Sequence, residues 1–188
     1  MIGYLEGNVQ KKLDNGLILK TNGVGYLVYI SKILLSEIEE KDEISLFIHT
    51  AVSEDDIRLF GFQEIEGLKM FKLLISVSGV GPKTALEVMN NPLLSLKYAI
   101  SSGDSSLLVK TKGIGKKTAE RIMIDLKGKI VVTEKPGEYV TYKDIDEDAV
   151  VALSNLGYRR HQILEKLKNM PKEINKTEDI IRYFLQNA

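Results

Sequence analysis

A segment of this chain repeats itself. Leu74-Ile75-Ser76-Val77-Ser78-Gly79-Val80-Gly81-Pro82-Lys83-Thr84-Ala85 returns 34 residues later as Leu108-Val109-Lys110-Thr111-Lys112-Gly113-Ile114-Gly115-Lys116-Lys117-Thr118-Ala119. Each copy reads as a helix, a Gly-apolar-Gly turn and a second helix with alanine at a fixed place. Two copies are too few for a solenoid, which needs at least about three stacked units. The glycines allow a tight turn and close approach of another backbone. The apolar residue between them, Val80 or Ile114, can plug into its helix pair. The next helix then starts with free N–H groups, and these donors and the helix dipole attract a phosphate. Lys83 in one copy, and Lys116 and Lys117 in the other, add positive charge to that first turn. Pro82 fits a helix start, where its missing N–H costs no bond. The plainer alternative is a pair of helix corners whose glycines serve packing alone.

Charge weighs between these readings. The 188-residue chain carries 26 Lys+Arg against 26 Asp+Glu, but unevenly. Residues 1–62 hold 6 cations and 10 anions, residues 63–130 hold 11 and 6, and residues 131–188 hold 9 and 10. Both repeats therefore lie in the net-basic segment, which favours an anion-binding surface. The expected partner is a sugar–phosphate backbone, contacted without sequence information. The candidate DNA contacts are Gly79, Val80, Gly81, Lys83 and Thr84, then Gly113, Ile114, Gly115, Lys116 and Lys117. Gly81-Pro82-Lys83-Thr84 and Gly115-Lys116-Lys117-Thr118 lack the Gly-x4-Gly-Lys-Ser/Thr spacing of a P-loop, so no nucleotide site or other cofactor is expected.

The segments around the repeats differ in texture. Residues 1–62 read as β. Gly16–Lys20 and Tyr26–Ile30 are short β-rich runs, and Asp14-Asn15-Gly16 is a hairpin-turn signal because Asn-Gly tolerates positive φ. Ile44, Leu46 and Ile48 alternate with Glu43, Ser45 and Phe47, as in a strand with one face more buried. Several short strands in this length predict a small barrel or sandwich, with Ser31–Glu39 as its helical insert. Residues 63–130 read as helical, with Leu68, Phe71, Leu74 and Ile75 on one stripe and Ala119, Ile122, Met123 and Leu126 on another. Pro92 is placed in the first turn of a further helix carrying Leu93, Leu96 and Ile100. Residues 131–143, with Pro136-Gly137, read as a mobile tether. Residues 144–188 predict three short helices carrying Val150, Leu153 and Leu156, then Ile163, Leu164 and Leu167, then Ile180, Ile181, Phe184 and Leu185, with Gly157 ending the first.

Several function classes drop out. Cysteine is absent, which excludes disulfides and thiolate metal sites and suits a reducing cytoplasm. No apolar run approaches the roughly 20 residues of a membrane span, and the N-terminus does not read as a secretory signal. His49 and His161 are far apart and receive no role. Glu54-Asp55-Asp56 admits two readings from its residues: a solvated turn between strands, or a Mg²⁺ site, although contiguous acids on one turn rarely converge on an ion. No catalytic residue is assigned.

The two Gly-apolar-Gly elements resemble the helix-hairpin-helix motif of DNA-binding proteins. Their combination with Met1-Ile2-Gly3, Gly23-Val24-Gly25-Tyr26, Glu54-Asp55, Leu59-Phe60-Gly61-Phe62, Gly113–Arg121, Ala152-Leu153 and Leu156-Gly157-Tyr158 resembles the RuvA family over nearly the whole chain. The tether departs from that pattern by being short. The resemblance implies an α+β multidomain protein: an OB-type β-barrel at 1–62, a double helix-hairpin-helix domain at 63–130, a linker at 131–143, and a three-helix, UBA-like domain at 144–188. It implies a non-catalytic, cytoplasmic subunit that binds four-way (Holliday) junctions in recombination, repair and the SOS response. That subunit would work as a homotetramer, alone or as two tetramers sandwiching the junction. It would bring the RuvB ATPase hexamer to the DNA for branch migration, with the RuvC resolvase acting on the same complex. Glu54 and Asp55 would form an acidic pin at the crossover, where carboxylate repulsion reaches about 10 Å at roughly 0.1 M salt. Leu153, Leu156, Tyr158 and Leu185 are the candidate motor contacts, against the bland reading of bundle core. Two rivals stand beside this reading. Hairpins of this kind also occur in nucleases, glycosylases and ligases, but Asp104 and Asp125 are the only aspartates in the basic segment and neither has a convincing catalytic partner. The C-terminal helices would alternatively suit a protein-interaction adaptor.

Overall fold

The computed structural model of the chain describes residues 1–130, 146–158, 160–167, 170, 171, 174 and 176–187. Contacts divide the chain into two units, Met1–Val132 and Thr133–Ala188. The predicted tether at 131–143 lies outside the described residues.

Apolar alternation along the N-terminal segment resolves into β1 (Tyr4–Leu13), β2 (Gly16–Thr21), β3 (Val24–Tyr29), β4 (Glu43–Val52) and β5 (Ile57–Phe62). They close into a barrel in the order β1-β2-β3-β5-β4, with β1 pairing β4 to complete the ring. A parallel pairing of β3 with β5 (Val28↔Leu59, Tyr29↔Phe60) stands among antiparallel neighbours. This is the five-stranded OB-like architecture rather than a sandwich. A register shift between Val9 and Lys11 bends β1 so that it can serve both β2 and β4. Leu17, Leu19, Val28, Ile30, Leu46 and Ile48 fill the interior. Ser31 caps the insert helix α1 (Lys32–Glu37), accepting a hydrogen bond from the Leu34 N–H at 3.3 Å.

The hairpin turns use glycine in two different ways. Asp14 and Asn15 do connect β1 to β2, but neither Asn15 nor Gly16 has positive φ. Gly16 is needed for closeness: a Cβ there would lie 2.3 Å from the Val28 carbonyl oxygen. The Asn-Gly rule operates instead at the next turn, where Asn22 (φ 48°) and Gly23 (φ 86°) link β2 to β3.

The helices of the first unit are α2 (Ile65–Ile75), α3 (Pro82–Val88), α4 (Leu93–Ser102), α5 (Ser106–Val109) and α6 (Lys116–Leu126). Pro92 is the N-cap of α4 rather than part of its first turn. The chain passes from barrel to helices without losing contact, because Phe60 and Phe62 belong to the same apolar core as Phe71 of α2. The Phe71 ring centroid lies 4.9 Å from Phe62 and 5.3 Å from Phe60 and His49. His49 is thus a packing residue, and partial burial, aided by the charge of Lys72, holds its imidazole below the ordinary histidine pKa.

In the second unit α7 (Glu147–Asn155), α8 (Arg160–Leu167) and α9 (Thr177–Gln186) surround Val150, Leu153, Ile163, Leu167, Ile180 and Phe184. Asp146 N-caps α7 and also accepts a hydrogen bond from Thr177 at the start of α9. Gly157, with φ 95°, follows the end of α7 as expected.

Phe71 touches both barrel and helices, so Phe71→Ala is expected to destabilise the chain by about 3–5 kcal/mol. Urea unfolding of the full chain measures this, and a loss below about 1 kcal/mol would show that the aromatic junction is not a structural hub.

Candidate nucleic-acid interface

The repeat becomes two turns of one shape. The first joins α2 to α3 and the second joins α5 to α6, where α5 is a single short turn rather than the full helix expected. Gly79 and Gly113 open them with φ of 87° and 86°. This left-handed conformation suits glycine and strains other residues. Val80 and Ile114 then fold inward, 5% and 6% exposed, into the same core. Their N–H groups donate to Val77 O at 3.0 Å and Thr111 O at 3.1 Å, equivalent bonds in the two copies. Val80 and Ile114 are therefore plugs that position the turns, and their side chains are not open to a partner.

Gly81 and Gly115 are the N-caps of α3 and α6, with φ/ψ of −85°/169° and −83°/166°. That is ordinary extended backbone, open to any residue. A Cβ on either glycine would find no heavy atom within 4 Å. Nothing inside the chain requires glycine at these positions, which removes the packing-only explanation for them. Bare backbone is useful there only to something approaching from outside. Neither helix start has a side-chain cap, so its first N–H groups are left for an external acceptor. Lys83, Lys116 and Lys117 are exposed beside them, and half-buried Thr84 lies in the same first turn. The arrangement can bind phosphate oxygens through backbone donors and mobile cations, with no preference for sequence.

One positioning residue was not legible beforehand. Arg121 of α6 donates from Nη1 to the Ser78 carbonyl oxygen at 3.3 Å, tying the second hairpin to the turn of the first. Nothing in the spacing of Ser78 and Arg121 signals that pairing. Asp104 accepts from the Ser106 N–H at 2.9 Å, and this bond holds its carboxyl below the usual aspartate pKa. Its role is to start α5. Asp125 is exposed on α6.

Glu54, Asp55 and Asp56 form the exposed turn between β4 and β5. The Ser53 N–H closes it on Asp56 O at 2.9 Å, and Asp56 Oδ2 accepts from Arg58 Nε at 2.6 Å. Glu54 and Asp55 form no ion pair among the described residues. The three carboxylates do not converge, and no group of three or more His, Asp or Glu among the described residues could hold a metal ion.

In the C-terminal unit the four candidate contacts separate. Leu153 is 0% exposed and belongs to the bundle core, so it cannot offer a surface contact, and the reading as core packing holds for it over the motor contact that the resemblance implied. Tyr158 is half-buried, edge-on to Phe184 at 4.9 Å between ring centroids. Leu156 and Leu185 are open, at 61% and 46% exposure, as is Val151, which the sequence reading passed over.

The profile described as the RuvA N terminal domain matches residues 1–61, and that described as a SAM-like helix-hairpin-helix tandem matches residues 71–128. Over 178 residues the chain is 40% identical to a protein of Pelobacter propionicus, covering 90% of this chain and 89% of that protein. A Thermus thermophilus protein is 38% identical over 99% of this chain and 98% of its own length. A Rickettsia typhi protein is 35% identical over 100% and 98%. All three are named Holliday junction branch migration complex subunit RuvA.

Gly81→Thr and Gly115→Thr test the outward glycines. Threonine caps a helix about as well as glycine, so the melting temperature should stay within a few degrees. DNA affinity should fall at least about tenfold, because the new side chain stands where a backbone must approach. Gel-shift titration alongside thermal melting measures both, and unaltered binding by the two variants would refute the backbone-approach reading.

Proposed function

Because the chain belongs to the RuvA family, we propose that it binds four-way DNA junctions by their shape and serves a branch-migration complex without catalysing a reaction itself. The observation that carries this reading is the pair of matched hairpins, each presenting a glycine that the chain's own packing does not need, beside exposed lysines. Backbone-only contacts of this kind favour recognition of DNA geometry over sequence.

The finer parts of the reading are supported by the family resemblance of the sequence and by the distribution of exposed groups. The barrel (1–62) and hairpins (63–130) form the DNA-binding part, residues 131–143 a tether, and residues 144–188 a UBA-like motor-docking domain. Four copies match the four arms of the junction in symmetry, either as one tetramer or with a second tetramer on the opposite face. The RuvB hexamer docks on the exposed apolar residues Leu156 and Leu185 and on half-buried Tyr158, and the RuvC resolvase works on the same assembly in the cytoplasm. No described helix is long and apolar enough to cross a membrane. Glu54 and Asp55 act as the acidic pin: both are exposed and lack ion-pair partners among the described residues.

Two measurements test this. A fragment ending at Ile130 should retain junction binding in preference to linear duplex, yet fail to support RuvB-driven branch migration. Normal branch migration by the fragment would sink the docking role of the C-terminal unit, and loss of junction preference in the full chain would sink the whole reading. For the pin, Glu54→Gln with Asp55→Asn should tighten duplex and junction binding and reduce the selectivity between them at fixed salt. A solvated turn predicts no change, and a metal site predicts weaker binding together with a Mg²⁺ requirement.

A further inference from the structure

A groove of about 440 Å³ lies between the barrel and the first hairpin. Four cationic residues line it: Lys32 at the start of α1, Arg58 on β5, Lys83 on α3, and Lys112 just before Gly113. Two carboxylates, Asp56 and Glu87, line it as well. Both already accept a hydrogen bond, Asp56 from Arg58 Nε at 2.6 Å and Glu87 from Asn90 Nδ2 at 3.0 Å. Asn90 also accepts the Lys32 backbone N–H through Oδ1 at 2.7 Å, which ties α1 to the end of α3 and fixes the two walls together.

The cations are not consumed inside the chain. Arg58 uses Nε alone, and its terminal nitrogens have no partner among the described residues. Lys32, Lys83 and Lys112 form no ion pairs among the described residues. Four cations against two engaged carboxylates leave the groove net positive. A guanidinium anchored at one edge keeps a planar fork of donors, the geometry that suits a phosphate oxyanion. Asp56 holds Arg58 at the groove without exhausting it.

We propose that this groove takes a phosphodiester segment of bound DNA, with Arg58 and Lys32 of the barrel gripping the strand that Lys83 and Lys112 hold beside the hairpins. The proposal rests on the hairpins being DNA-binding and assigns the barrel a direct attractive contact of its own.

Arg58→Gln and Lys32→Gln in the full chain test it, with Arg58→Lys as the charge-restoring variant and Lys117→Ala, outside the groove, as the hairpin reference. Junction affinity is measured across a salt series. Each glutamine variant should bind about three- to tenfold more weakly at roughly 0.1 M salt, with the salt dependence shallower by about one unit per subunit. Arg58→Lys should recover the salt slope. Unchanged affinity and slope in both glutamine variants, with Lys117→Ala weakened, overturns the groove and leaves the hairpin reading standing. No change in any of the three overturns both. Titration with inorganic phosphate supplies a further arm: phosphate binding that needs Arg58, with junction affinity that does not, makes the groove a site for a small free anion and refutes its assignment to DNA. Should Arg58→Gln melt early, Lys32→Gln decides, since its side chain has no ion pair among the described residues to lose.

Discussion

Burial of Val80 and Ile114 in one apolar core is the interaction on which the rest of the interface depends. Each plug is nearly inaccessible, and both enter the core that also holds Phe71, Ala85 and Ala119. Burying a side chain of this size contributes about 1.5–3 kcal/mol. The Arg121–Ser78 bond between the hairpins is exposed, and an intramolecular hydrogen bond contributes a net of about 0.5–1.5 kcal/mol. Packing therefore sets where the turns sit, and the polar tie adjusts them. With the plugs seated, Gly81 and Gly115 have no choice but to face outward together.

How much of this could be read from the sequence depended on whether a feature was local. The hairpins were legible because their chemistry is contained in a short repeat, and the same repeat located the lysines. Their glycines were read as a class, whereas the structure divides them: Gly79 and Gly113 are needed for a left-handed backbone, Gly81 and Gly115 for open space. The Asn-Gly signal was assigned to the turn at Asn15, yet the positive φ pair is Asn22-Gly23. A dipeptide indicates that a turn is possible, and the strand register decides which turn type is used. The resemblance makes Leu153 a motor-contact candidate, and an apolar stripe alone does not distinguish a core face from a docking face; its burial decides for the core. The cationic groove was illegible in principle, because Lys32, Arg58, Lys83 and Lys112 are brought together only by closure of the barrel and its packing on the helices.

Charge in this protein is arranged by position rather than by amount. The chain is neutral in total, but Glu54 and Asp55 stand at one barrel tip while the same turn sends Asp56 back to Arg58. A half-exposed ion pair of this sort contributes little to stability, of order ~0–1 kcal/mol. Its carboxylate is better understood as a holder that keeps a guanidinium in place than as a brace for the fold. Carboxylates without an ion pair among the described residues and a held guanidinium thus lie within a few residues of each other on a single hairpin, and the conformation of that turn decides which face each presents.

The outward backbone edges at Gly81 and Gly115 also bear on motion. Donors that meet only phosphates meet an equivalent acceptor at each successive base-pair step, whatever the bases are. With the hairpins binding DNA as proposed, the free energy of holding the duplex would change little as the helix advances by one step, and the surface under a moving duplex would be only weakly corrugated. A grip that instead read base edges would have to break and remake specific contacts at every position, adding a ratchet-like friction that varied with sequence. On the proposed role, hairpins closed by an inward plug and an unadorned glycine would act as a low-friction bearing, firm across the strand and permissive along it.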